Sequence, residues 1–164
     1  MFKIDYKNFL FCSLIVSVIF LFDRVTKIYV LKLAEQGNIL DIYISSYLNL
    51  YLIWNKGIAF GLLSFNQDYI YNLLTIMILI IIVVILVMTA HASGLKKYLL
   101  LGILGGSLGN VFDRIYYSAV PDFIDFHINE FHWFVFNVAD IFITIGVIGL
   151  IFDEIIYSIK NNEN

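Results

Sequence analysis

The longest uninterrupted apolar run occupies residues 69–90, YIYNLLTIMILIIIVVILVMTA, without one charged side chain. At 1.5 Å of rise per residue, about 20 such positions cross a hydrocarbon layer of roughly 30 Å, so this run predicts a membrane-spanning helix. Three further stretches repeat the pattern. FLFCSLIVSVIFLF begins at Phe9 and meets Asp23, Arg24 and Lys27, predicting a helix over residues 9–33. LLLGILGGSLGNVF leads from Tyr98 to Asp113 and Arg114, predicting a helix over 98–117. The fourth covers 131–156, with Asp140 as the one charge before Asp153. Two loops separate these runs on one side, 34–68 and 118–130. The first contains YLNLYLIW, whose alternation of apolar and polar positions predicts short strands at the membrane surface. Glycines at Gly57 and Gly61 punctuate the segment after it. Tyr47, Tyr51, Trp54 and Phe60 suit an interfacial aromatic belt.

Composition strengthens the membrane reading. Of 164 residues, 61% are hydrophobic and 14% charged, with a mean hydropathy of +0.88; so few charges cannot cover a water-exposed globule. The expected fold is therefore an all-α membrane protein, a single domain over 1–164. It has four transmembrane helices and a small extracytoplasmic β-like subdomain after the first. A net charge of −3 and the absence of a basic stripe argue against nucleic acid. Lys3 and Lys7 precede the first apolar run, yet no small-x-small cleavage site follows it, so the run reads as a retained helix. Lys3, Lys7, Lys96, Lys97 and Lys160 lie on one side, against Lys56 alone in loop 34–68 and no Lys or Arg in 118–130. That bias predicts that both termini are cytoplasmic.

Charges at membrane depth cost several kcal/mol unless paired, and so mark functional candidates. Here Asp23, Arg24, Lys27, Asn110, Asp113, Arg114, Asn137 and Asp140 fall near the outer ends of their helices, and Asp122 and Asp125 in the loop just before the fourth, so all converge near the outer face. Asp23 and Lys27 are four apart, and Asn137 and Asp140 three apart, so each pair shares a helix face. No HExxH is present, and His127 and His132, five apart in a predicted loop, make a poor helix-face pair for zinc. Neither a metal nor a cofactor is expected. Cys12 sits at the wrong end of its helix for thiol chemistry and reads as an apolar filler. The glycines from Gly102 to Gly109 read as a packing face. What remains is carboxylate chemistry: two acids within hydrogen-bond reach cannot both ionise, so one keeps a proton near neutral pH. Spacing alone does not decide whether Asp113 or Asp122 is the partner of Asp140. A proton-coupled carrier could also use such acids, but carriers place them at the midplane within repeated halves, and no repeat is visible.

Five segments carry a resemblance. Asp23-Arg-Val-Thr-Lys27, Asn55-Lys-Gly-Ile-Ala-Phe60, Gly105-Gly-Ser-Leu-Gly-Asn-Val-Phe-Asp-Arg114, Val120-Pro-Asp-Phe-Ile-Asp125 and Phe136-Asn-Val-Ala-Asp140 occur in that order. Together they resemble the lipoprotein signal peptidases (signal peptidase II) of bacteria across nearly the whole chain. The resemblance implies an intramembrane aspartic endopeptidase of the inner membrane, acting as a monomer among membrane lipids. It would cut lipid-modified prolipoproteins before the diacylglyceryl-cysteine. It implies a catalytic dyad of Asp122 and Asp140, with Asn55, Gly57, Asn110, Asp113, Arg114 and Asn137 supporting the dyad and substrate. Asp23 and Lys27 would be structural or lipid-head contacts. Pro121 departs from the aliphatic residue of many relatives and should stiffen the backbone before Asp122.

Overall fold

Each long apolar run forms a helix. The computed structural model describes residues 6–37, 41–57, 68–129 and 131–162; Phe60 and Gly61 lie outside them. The helices are α1 (Tyr6–Gly37), α2 (Asp68–His91), α3 (Gly94–Tyr117) and α4 (Val138–Asn162). The strands are β1 (Asp41–Ser45), β2 (Leu48–Asn55), β3 (Val120–Ile128) and β4 (Phe131–Phe136). Among the described residues, two helical stretches, Tyr6–Gly37 and Tyr71–His91, are long and apolar enough to cross a membrane.

The helix α3 is the hub, packing against α1, α2 and α4. Leu100, Ile103, Leu104 and Val111 of α3 meet Ile82 and Ile85 of α2 in one buried cluster. Small residues allow the closest approaches. A Cβ built on Gly106 would stand 2.5 Å from the backbone oxygen of Ala139, so only glycine lets α3 and α4 touch there. The surface is inverted relative to a water-soluble protein. Val18 and Leu21 of α1, Ile80 and Val83 of α2, and Ile148 and Ile151 of α4 are exposed, while Asp23, Lys27, Asp113, Asp122 and Asn137 are buried.

The four strands form one antiparallel sheet in the order β1-β2-β3-β4. Pairing of β2 with β3 brings the segment after α1 against the segment before α4, with Asn55 opposite Val120 and Ile53 opposite Asp122. Pro121 pairs with Trp54 of β2, and the β4 register begins only at Ile124. The missing N–H of Pro121 therefore falls where β3 has a single neighbouring strand, a position that tolerates proline.

Two expected boundaries are corrected. Residues 118–130, read as a loop, hold β3, and the helix expected from 131 begins at Val138, because 131–136 form β4. The apolar run FHWFVF is continuous with α4 in hydropathy but not in conformation. Asn129, at φ 54°, turns the β3–β4 hairpin ahead of the Ile128–Phe131 pair, a left-handed turn position that asparagine tolerates. Other helix ends shift outward, α1 reaching Tyr6 and Gly37, α3 starting at Gly94 and α4 ending at Asn162.

Candidate active site

At the start of α4, Asn137 and Asp140 cap the helix reciprocally. The Asp140 N–H donates to Asn137 Oδ1 at 3.1 Å, and the Asn137 N–H donates to Asp140 Oδ2 at 3.2 Å. This is a capping box, with two otherwise orphaned backbone donors satisfied. It also fixes the amide of Asn137, since its oxygen is engaged and its Nδ2 must point outward. That Nδ2 donates to Asp122 Oδ1 at 2.6 Å. One residue thus holds both acids, the Asp140 carboxylate through its backbone N–H and Asp122 through its side-chain amide.

The other oxygen of Asp122 is held in the same way. Asn55 Oδ1 accepts the Gly57 N–H at 2.8 Å, which turns Asn55 Nδ2 toward Asp122 Oδ2, also at 2.8 Å. Gly57 is fixed in turn, because its carbonyl accepts a hydrogen bond from Arg114 Nη2. The Arg114 guanidinium lies 5.7 Å from the centre of the Tyr71 ring, within range of a cation–π attraction.

A third amide serves Asp140. Lys27 Nζ, which can only donate, bonds Asn110 Oδ1 at 2.9 Å, and Asn110 Nδ2 then donates to Asp140 Oδ1 at 2.8 Å. Lys27 also bonds Asp23 at 2.9 Å and Asp113 at 2.6 Å. Arg24 closes the network with Nη1 2.5 Å from Asp113 Oδ1 and Nη2 3.1 Å from Asp23. The other oxygen of Asp23 accepts the Ala139 N–H at 3.0 Å, so α1 helps to cap α4. The resulting chain of contacts runs without a break from Asp113 through Lys27, Asn110, Asp140 and Asn137 to Asp122, Asn55 and, through Gly57, Arg114.

Charge in this cluster does not balance. Among the described residues, four carboxylates (Asp23, Asp113, Asp122 and Asp140) face three cations (Arg24, Lys27 and Arg114), leaving one negative charge that a single proton would neutralise. Burial and then the charge of Asp140 push Asp122 up from the usual carboxylate range to about 7, against the lowering effect of the Asn55 and Asn137 amides. Asp122 is 1% exposed, so desolvation of its anion is nearly complete. Beside Asp140, a hollow of about 250 Å³ is lined by Phe136, Ile141, Thr144 and Ile145, mostly apolar walls against one acid.

A family model described as "Signal peptidase (SPase) II" matches residues 15–156. The chain belongs to the signal peptidase II family. A lipoprotein signal peptidase of Pelagibacter ubique (strain HTCC1062) is 55% identical over 158 residues, covering 96% of this chain and 95% of that one. One from Anaplasma phagocytophilum (strain HZ) is 40% identical over 138 residues, covering 82% and 85%. Two solved bacterial membrane enzymes share the fold. One has a TM-score of 0.69 at 28% identity, covering 92% of this chain and 90% of that one; the other has 0.66 at 29%, covering 87% and 90%.

In this member of the signal peptidase II family, the residues singled out from sequence fall into two groups. Asn55, Gly57, Asn110, Arg114 and Asn137 touch Asp122 or Asp140 directly or through a short relay of partners. Asp23, Lys27 and Asp113 form the buried ion network, at 0%, 1% and 0% exposure. Asp113 turns away from its neighbour Arg114 and binds Arg24 and Lys27 instead. Arg24 is the residue of this network that the family resemblance leaves without a role, yet it sits beside Lys27 as a partner of Asp113. Its place about one turn before Lys27, directly after the apolar run FLFCSLIVSVIFLF, is the available signal. Asp125 faces away from the acids, toward His132 at 2.8 Å. His127 and His132, read as loop residues, are directly paired across β3 and β4.

The same geometry makes a glycine prediction. A Cβ on Gly109 would lie 2.5 Å from Asp23 Oδ2, an oxygen already fixed by Lys27 and Arg24. Gly109→Ala is expected to lower stability by about 1–3 kcal/mol, the usual effect of overpacking, and to reduce activity as Asp23 releases the α4 cap. Denaturation midpoints in detergent check the first effect and turnover the second.

Proposed function

We propose that this chain is an intramembrane aspartic endopeptidase that removes the signal peptide from diacylglyceryl-modified prolipoproteins, cutting before the lipidated cysteine. Asp122 and Asp140 form the dyad. The observation that carries this reading is Asn137, one residue that binds both carboxyl groups, Asp122 through its side-chain amide and Asp140 through its backbone N–H, together with the burial that pushes Asp122 up to about 7. Family membership supports the substrate class, since the relatives are lipoprotein signal peptidases.

The chemistry follows from one proton on two carboxylates. The ionised acid takes a proton from a water as its oxygen attacks the scissile carbonyl. The protonated acid meanwhile donates to the carbonyl oxygen, giving a neutral tetrahedral diol. Breakdown reverses the roles: a proton goes to the amide nitrogen, the C–N bond breaks, and the new cysteine amine leaves. The amides of Asn55, Asn110 and Asn137 hold both carboxyl groups in register throughout. Such preorganised donors need no reorganisation as charge moves.

In this reading four helices cross the bacterial inner membrane, with both termini cytoplasmic and the sheet on the outer side. The protein acts as a monomer. The polar cluster is built from the second half of α1, the C-terminal end of α3 and the start of α4, which puts the scissile bond toward the outer side. The apolar hollow beside Asp140 suits a substrate arriving sideways from the bilayer, whose acyl chains keep the new N-terminus anchored.

A gel-shift cleavage assay with purified protein tests the substrate. A lipidated prolipoprotein is expected to be processed, and the same chain without the diacylglyceryl group to show little turnover. Equal rates on both would contradict the lipid requirement, and no cleavage of either would contradict the endopeptidase reading.

A further inference from the structure

The tip of the β3–β4 hairpin holds a second cluster that the proteolytic reading leaves unused. Asp125 and His127 are two apart on β3 and therefore share a face of the strand, and His132 is the direct cross-strand partner of His127. The two imidazole rings stack with centroids 5.0 Å apart. His132 Nδ1 lies 2.8 Å and His127 Nδ1 3.7 Å from Asp125 Oδ2, and one donor atom from each of the three residues falls within 4.8 Å of the others. Asp122, three residues before Asp125, projects from the opposite face by the same alternation, so this cluster is separate from the dyad.

One of these atoms is incompletely used. His127 is 7% exposed, and its Nδ1 is buried without a hydrogen-bond partner among the described residues. An imidazole nitrogen in that state is disfavoured unless something else occupies it. It points toward the shared carboxylate oxygen, beside a half-exposed His132 through which an ion could arrive.

We propose that Asp125, His127 and His132 form a binding site for a divalent first-row transition metal of the zinc class. Two imidazoles and one carboxylate are a ligand set that zinc accepts, with a fourth position left to water. Zinc ligands at about 2.0–2.2 Å place neighbouring donor atoms roughly 3.3–3.6 Å apart in a tetrahedron. The observed spacings of 2.8 and 3.7 Å to Asp125 Oδ2 bracket that range. The hard, oxygen-seeking cations magnesium and calcium do not suit the two imidazoles. A bound ion would tie β4 to β3, and β4 leads directly into Asn137 and the cap of α4, so occupancy would stiffen the segment between the two acids.

Zinc titration of the untagged full-length protein in detergent, followed by calorimetry and by the thermal midpoint, tests the site. Wild type is expected to take up about one zinc per chain with a raised midpoint, and magnesium to do neither. His132→Ala, a change at a half-exposed side chain whose folding circular dichroism checks, should weaken zinc binding about tenfold or more and remove the midpoint shift. His91→Ala and Asp122→Asn should retain both, which separates this site from the remaining histidine and from the dyad. Absence of saturable zinc uptake by wild type, or equal affinity in His132→Ala, would overturn the proposal. These readouts are independent of peptidase activity.

Discussion

Asp122→Asn and Asp140→Asn each reduce cleavage of a lipidated prolipoprotein by about 10³-fold or more, the scale of losing a positioned acid–base group, while leaving a folded, membrane-inserted protein. An amide can neither take the proton of the attacking water nor give one to the carbonyl at neutral pH. The fold survives because the change is isosteric. Stability is not untouched, however. Both Asp122 oxygens accept from amide nitrogens whose own carbonyls are engaged, so the amide introduced by Asp122→Asn must set its NH2 against one of them. A buried donor left without an acceptor costs about 1–3 kcal/mol, partly offset by removing the repulsion from Asp140. Asp113→Asn is the informative comparison. It disturbs the ion network rather than the dyad, so it lowers stability while the folded fraction keeps measurable cleavage. Gel-shift assays alongside circular dichroism of all three variants check both halves.

Lys27→Met is expected to destabilise the protein by about 3–5 kcal/mol, the range for stripping one partner from a buried ion cluster. Lys27 is 1% exposed and bonds Asp23, Asp113 and Asn110 at once. Its loss leaves four acids against two cations. It also frees the Asn110 amide to rotate, so Asp140 loses a fixed donor and activity falls with stability. Lys32→Met, at an exposed position further along α1, should change stability by no more than about 0.5 kcal/mol. Combining Lys27→Met with Asp113→Leu should cost less than the sum of the two, because the pair is in direct contact. Denaturation in detergent micelles measures all of these.

The helices are readable because a lipid-facing helix needs an unbroken apolar run, and that run is a one-dimensional signal. The convergence of polar groups is readable for the same reason: Asp140 stands alone in an apolar segment. The sheet is harder. β2 shows itself through YLNLYLIW, but its partner is β3, some 70 residues later, and nothing local announces so distant a pairing. β4 is hidden because FHWFVF is as apolar as the helix that follows it. The spacing Asn137-x-x-Asp140 is a helix-start signal that places the boundary correctly. How the network divides is not legible at all. Asp113 and Arg114 are adjacent in sequence, yet a helix turns about 100° per residue, which sends one toward Lys27 and the other toward Gly57.

The proposed reaction requires one proton shared between the carboxyl groups of Asp122 and Asp140. The pH dependence of single-turnover cleavage on a lipidated substrate tests it most directly. Raising the pH strips that proton and leaves no acid for the carbonyl, so the rate should fall above about 7, by about tenfold per pH unit. Acidification protonates the second carboxylate and removes the base, giving a falling limb on the other side. A bell with its alkaline limb near neutrality is the predicted result; a rate that stays level from the acid side through pH 7 and well above it would contradict the account.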